Sequence, residues 1–215
     1  MNAKEYDKKI SSTIPYYEEF HAQTINVIQN MGFQKIHWLD LGCGTGTLAN
    51  KAGKVFSSVQ FMMVDPSQKM LETAKQNNPD IQAKYCKAGS ADITFDNEFH
   101  VVTAIQSHHY MQAEVRKKAT ENAYHALYKG GVYITFENVI PETSETKEFE
   151  LQRWGAYQRA HGKSSEEVRT HIGRCGTSYF PLTINQHIEL LKATGFRMVH
   201  IFWCSYMQAG LYGIK

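Results

Sequence analysis

No apolar run in this 215-residue chain is longer than a β-strand. A bilayer-spanning helix needs about 20 consecutive apolar residues, so none is expected. The opening stretch Met1-Asn2-Ala3-Lys4-Glu5-Tyr6 lacks the apolar core of a secretory signal, which leads us to expect a cytoplasmic protein. An excess of one charge is missing too. Twenty-three Lys and Arg face 21 Asp and Glu, for a net charge of +2, and no basic run is dense enough to mark a nucleic-acid partner. Cysteine is sparse: Cys43, Cys86, Cys175 and Cys204 are widely separated, with no C-x-x-C pair. That spacing suits reduced thiols better than a disulfide framework or a zinc site, and no metal site is expected. No linker interrupts the chain, whose length suits one α/β domain with an insertion and a sizeable core.

What is present is a strand running straight into a glycine-rich turn, Leu39-Asp40-Leu41-Gly42-Cys43-Gly44-Thr45-Gly46. Without Cβ atoms, these glycines allow positive φ and a close approach of backbone to ligand at the carboxyl edge of a strand, which predicts a nucleoside cofactor. Asp65 closes a second apolar run, Val59 to Val64, where a carboxylate can accept hydrogen bonds from both ribose hydroxyls. Gly89-Ser90-Ala91-Asp92 follows a third run, Ile81 to Cys86, and offers a carboxylate to an adenine amino group. NAD is disfavoured because Gly42-x-Gly44 is followed by Thr47 where the dinucleotide pattern wants Gly or Ala. The shifted register Gly44-x-Gly46-x-x-Ala49 does satisfy that pattern, so the alternative stays open.

These three sites in this order resemble the class I S-adenosylmethionine-dependent methyltransferases, from about Lys35 onward. The resemblance implies a doubly wound α/β fold with a mostly parallel, seven-stranded, Rossmann-like sheet and S-adenosyl-L-methionine as cofactor. It would place the methionine and ribose portion on Asp40, Gly42, Gly44 and Gly46, the ribose hydroxyls on Asp65 beside Pro66, Ser67 and Met70, and the adenine near Ser90, Ala91 and Asp92. Gln106, at the end of the fourth strand, completes the set. An N-terminal segment folds over the cofactor in that family, which brings in Tyr6, Tyr16 and Tyr17, with Tyr16 taken as the contact.

The periodicity predicts a helix entered at Pro15, apolar at Phe20, Val27, Ile28 and Met31 and ended by Gly32. Strands are expected near 35–41, 59–64, 81–86, 99–105 and 131–138, with helices near 47–55, 67–77 and 112–128, the rhythm of βαβ units. The stretch 141–182 breaks that rhythm and reads as an inserted helical cap, its second helix opened by the capping box Ser164-Ser165-Glu166-Glu167. Thr183-Ile184-Asn185-Gln186 opens the last helix, ended at Gly195, before two terminal strands. The resulting single domain divides into lid (1–34), core (35–140), cap (141–182) and C-terminal helix with strand pair (183–215).

Methyl transfer from a sulfonium mainly requires alignment and, for some acceptors, removal of a proton. His108 and His109, in Ser107-His108-His109-Tyr110 after the fourth strand, are the candidate catalytic bases. Tyr110, with Arg153, Tyr157 and Arg174 from the cap, are the candidate substrate contacts, Arg174 as a two-pronged clamp for a carboxylate. The termini, Ile14-Pro15-Tyr16-Tyr17 and Trp203-Cys204-Ser205-Tyr206-Met207-Gln208-Ala209-Gly210, are distantly similar to the carboxy-S-adenosylmethionine synthases, which serve tRNA wobble-uridine modification. A rough alignment puts Arg174 near the arginine that holds the extra carboxylate there. The leading expectation is a methyltransferase acting on a small molecule, with a homodimer left open. A tRNA-modification enzyme, as methyltransferase or carboxylated-cofactor synthase, and a non-catalytic cofactor-binding protein are the alternatives.

Overall fold

The computed structural model describes residues 10–215, so Tyr6 lies outside the described residues. Seven strands form one sheet in the order β3-β2-β1-β4-β5-β7-β6. They are β1 (Ile36–Leu41), β2 (Val59–Val64), β3 (Ala83–Cys86), β4 (Phe99–Ile105), β5 (Leu127–Asn138), β6 (Arg197–Ser205) and β7 (Gln208–Ile214). Strands β1 to β5 pair in parallel, while β7 runs antiparallel between β5 and β6. The mostly parallel, doubly wound sheet is therefore as expected.

Helices cover both faces, so the central strands can be apolar on both sides. Leu39 and Leu41 of β1 enter one core with Val102 and Leu127; Ile36 and Trp38 enter the opposite one with Phe61, Met63 and Val101. The covering helices are α1 (Tyr17–Asn30), α2 (Thr47–Gly53), α3 (Gln68–Asn77), α4 (Ala113–Ala126) and α7 (Ile184–Thr194). A single 3-10 turn, His108–Tyr110, separates β4 from α4. Because β1 pairs with β2 on one side and β4 on the other, the chain leaves their carboxyl ends in opposite senses, and a crevice opens between them.

The cap contains α5 (Ser144–Ala160) and α6 (Ser165–Gly173). It leaves and rejoins the core at one place: Val139 bridges Leu182, and the Ile140 N–H donates to the Leu182 carbonyl at 3.0 Å. Both predicted capping boxes form. Ser164 accepts from the Glu167 N–H at 3.1 Å while Glu167 accepts from the Ser164 N–H at 2.8 Å, and Thr183 and Gln186 repeat the exchange. Gly195 ends α7 at φ 114°, a conformation open to glycine.

Several boundaries differ from expectation. The chain enters α1 at Tyr17, because Tyr16 sits in the left-handed region at φ 56° and breaks the helix before it can reach Pro15. Strand β5 starts four residues early, at Leu127, since Phe99 pairs with Leu127 before a register irregularity restores pairing at Val101 with Val132. Strand β3 starts at Ala83, and Ile81 packs instead against the core formed around Trp38.

Candidate functional site

A cavity of about 980 Å³ fills the crevice at the carboxyl ends of β1, β2 and β4 and reaches to the cap. Its floor is the glycine turn. At Gly42, φ 74°, an added Cβ would lie 2.5 Å from the Ser107 Cβ, so only glycine lets the ends of β1 and β4 meet. At Gly44, φ 54°, an added Cβ would meet nothing within 4 Å, and the residue lines the cavity. A side chain there would occupy ligand space. Gly46 packs against Ala74 of α3 and against Asn78 just past the end of that helix, and does not line the cavity.

Asp65 braces this turn from the end of β2. One carboxylate oxygen accepts the Gly44 N–H at 3.0 Å and the other the Ser67 N–H at 2.8 Å, with Pro66, Ser67 and Met70 beside it on the cavity wall. Asp40 also lines the cavity, 3% exposed, and accepts the Thr103 hydroxyl at 2.7 Å; that hydroxyl in turn accepts the Trp38 indole N–H at 2.8 Å. Burial raises the Asp40 carboxyl to about 7, despite the Thr103 hydrogen bond, and the Asp65 charge adds to the rise. A cationic ligand in the cavity would reverse that shift.

Along the remaining edge, Gly89 and Ser90 line the cavity after β3, whereas Ala91 and Asp92 do not. Asp92 is exposed and folds back on its own turn, its carboxylate 2.7 Å from where a Gly89 Cβ would be. Gln106 lines the cavity in a strained conformation, φ 54°, fixed by its N–H to the Phe136 carbonyl at 2.7 Å; its side-chain oxygen is buried with no partner. Such an acceptor suits a ligand donor.

The lid contributes Tyr17 and His21 from α1, together with Ile10, Thr13 and Ile14. Tyr16, the expected contact, is 58% exposed and points away toward Tyr206. The left-handed kink turns the cavity-facing position by one residue. From the cap, Arg174, His171 and Tyr179 line the cavity, joined by Tyr110 from the 3-10 turn. The Arg174 carbonyl accepts the Thr177, Ser178 and Tyr179 N–H groups at 3.1, 2.9 and 3.3 Å, so the loop that carries this arginine is tightly wound. Burial lowers His171 to about 4, with Lys163 and Arg174 adding to the effect.

Arg153 and Tyr157 do not reach the cavity. Arg153 lies over the Tyr206 ring at 4.0 Å and pairs with Glu150, while the Tyr157 hydroxyl donates to the Ser11 carbonyl at 2.9 Å and so ties the lid to the cap. The Trp154 indole does the same to Thr13 at 2.7 Å.

His108 and His109 also stand behind the wall rather than on it, 2% and 0% exposed. His108 shares a hydrogen bond with the Tyr133 hydroxyl at 3.1 Å, and burial lowers it to about 4. Glu137 accepts from the His109 backbone N–H at 2.8 Å and meets its ring Nδ1 at 3.0 Å. The Arg116 guanidinium donates to the carbonyls of His108, Met111 and Phe180. The pair thus belongs to a buried network that clamps the 3-10 turn and presents Tyr110, which corrects the expectation that either imidazole faces the substrate. His21, Asn138 and Thr170 line the cavity without having been singled out in the sequence. The helical spacing of Tyr17 and His21, one turn apart in α1, is the signal that could have found His21.

Residues 39–131 match the methyltransferase domain family. With the sheet order and the braced glycine turn, the match makes this stretch similar to a class I S-adenosylmethionine-dependent methyltransferase domain, a class whose cofactor is S-adenosyl-L-methionine. The residues present suit that cofactor: a glycine floor open to a ligand, and a buried carboxylate, Asp40, whose ionisation a sulfonium and an ammonium would favour. Over its whole length the chain is distantly similar to the carboxy-S-adenosyl-L-methionine synthase of Staphylococcus epidermidis, 23% identical over 100% of this chain and 94% of that one. The enzyme of the same name from Nautilia profundicola is 22% identical over 93% and 86%. Among solved structures, an S-adenosylmethionine-dependent methyltransferase from Mesorhizobium loti shares the fold at 15% identity, with a TM-score of 0.64 over 88% of this chain and 96% of that one. A phosphoethanolamine N-methyltransferase from Haemonchus contortus does so at 15% identity and 0.65, over 90% and 53%. No helix among the described residues is long and apolar enough to cross a membrane.

Proposed function

We propose that this protein transfers the methyl group of S-adenosyl-L-methionine to a small molecule enclosed beneath the cap. The observation that carries this reading is the continuity of one cavity, from the glycine turn and Asp65 to Arg174, His171 and Tyr110. In this reading Asp65 takes the ribose hydroxyls, Asp40 faces the positive charge of the methionine portion, and Ser90 lies at the adenine end. The cofactor supplies an activated methyl carbon for in-line displacement. The chain's own residues align the acceptor and exclude water. Arg174 gives the acceptor end a cation, so an acceptor bearing a carboxylate is favoured. Turnover of methyl-labelled cofactor on a panel of small carboxylic acids tests the reading: label should move to at least one acid in the parent protein, and a panel without transfer argues for a non-catalytic binding protein.

A second reading is favoured by the same Arg174 and by the full-length similarity to carboxy-S-adenosyl-L-methionine synthases. There the carboxylate would belong to a modified cofactor. Mass spectrometry of the nucleoside that co-purifies with the protein separates the two, because a carboxylated cofactor is heavier than S-adenosylmethionine by one carboxyl group in place of a hydrogen.

A further inference from the structure

His21 belongs to the lid, yet it is held from the core. Its Nδ1 lies 3.3 Å from the Lys51 ammonium on α2, which also pairs with Glu18 one turn earlier on α1. An ammonium has only protons to offer, so Nδ1 must be the accepting nitrogen and the ring proton resides on Nε2. The imidazole is 2% exposed, packs edge-on against the Tyr17 ring at 5.0 Å and lines the cavity. Burial, with Lys51 adding to it, lowers His21 to about 3, so the ring stays neutral and the tautomer is set by its neighbour. The result is a neutral imidazole with its N–H on Nε2 and a cation at its other nitrogen, on a ring that lines the cavity.

The opposite wall has the reverse character. Asp40 and Asp65 on the sheet edge suit the ammonium and the hydroxyls of the cofactor and repel its carboxylate. We infer that His21, oriented by Lys51, is the group that recognises the amino-acid carboxylate of S-adenosylmethionine, and that the lid thereby selects cofactors that carry that carboxylate. This rests on the cofactor reading of the cavity and adds a residue from outside the glycine turn. Lys51 is a positioning residue: it does not line the cavity and acts through the ring.

The test compares two cofactors that differ only in this group, S-adenosylmethionine and decarboxylated S-adenosylmethionine, by calorimetric titration of the parent and of His21→Leu. Removing a hydrogen bond to a charged group should weaken S-adenosylmethionine binding by roughly ten- to a hundredfold, with the decarboxylated nucleoside unaffected. His21→Gln, which can return an N–H at a similar reach, should recover most of the loss. Lys51→Met should produce a smaller loss with the same ligand selectivity. An equal loss for both nucleosides would mean that His21 only packs the lid, and no loss for either would remove it from the site; each overturns the inference. A parent protein that binds neither nucleoside would overturn the cofactor assignment itself, a result distinct from both.

Discussion

The two walls of the cavity are built by different means. The sheet wall is backbone held by backbone and by buried carboxylates: Gly42 wedged against Ser107, Gly44 bound to Asp65, Asp40 anchored through Thr103 to Trp38. The cap wall is made of side chains on α6 and the loops that flank it, Arg174, His171 and Tyr179 among them, and it contacts the core through a few bonds such as Phe180 N–H to the His109 carbonyl at 2.7 Å. Acids dominate the first wall, whereas Arg174 and Lys163 bring cations to the second, beside Glu166 and Glu167. A rigid anionic wall suits a constant cationic cofactor. A helical wall with exchangeable side chains suits an acceptor that differs from one protein to another.

Substitutions on the two walls should therefore fail in different ways. The largest effect is expected at Gly44, where valine would both enter the cavity and sit at positive φ: Gly44→Val should abolish measurable S-adenosylhomocysteine binding in a calorimetric titration. Binding equal to that of the parent would show that the turn does not approach the ligand. Behind the cap wall, Glu137→Ala should cost about 3–5 kcal/mol of stability, read by denaturant unfolding, because it leaves the buried His109 N–H without its acceptor and Arg116 without a nearby anion. Loss of cofactor affinity without loss of stability would place Glu137 in the site instead.

Asp40 sharpens the contrast through pH. Its carboxyl is raised from 3.8 to about 7 in the fold, so the folded protein holds this proton more tightly than the unfolded chain. The corresponding stability is complete below about pH 4 and is lost as pH rises through 7. Asp40→Asn should accordingly raise the thermal midpoint of the ligand-free protein at pH 8, weaken binding of the cationic cofactor, and flatten the fall in cofactor affinity that the parent shows below pH 7. A midpoint lower than that of the parent at pH 8 would contradict the burial argument. The smallest effect should come from Arg174→Lys, which keeps the charge but loses the planar two-pronged geometry. It should raise KM for a carboxylate-bearing acceptor several-fold with little change in thermal midpoint, and unaltered kinetics would leave acceptor choice to the aromatic residues.

The same division governs what could be read from the sequence. The sheet wall was legible because each of its features has a local signature: a strand that runs into glycines, an acid at the end of the next strand, capping boxes at Ser164 and Thr183. Misplacements arose where a single backbone angle decides which side chain turns inward. The sequence does not distinguish Tyr16 from Tyr17, because a left-handed residue before a helix has no marker in the residue type. Asp92 has the residue type and position expected for the adenine end, but its turn folds it back on Gly89. His108 and His109 were legible as a polar pair at the sheet edge. Their partners Glu137, Arg116 and Tyr133 come from distant segments, and no local pattern says that a buried network absorbs the pair.

The central claim is that the glycine turn braced by Asp65 holds an S-adenosyl nucleoside. Calorimetric titration of the parent and of Asp65→Ala with S-adenosylhomocysteine, beside NAD, tests it most directly. The account predicts one saturable site for S-adenosylhomocysteine in the parent, affinity weakened by roughly ten- to a hundredfold in Asp65→Ala, and no binding of NAD. Saturable binding of NAD with none of S-adenosylhomocysteine, or equal S-adenosylhomocysteine affinity in both proteins, would contradict it.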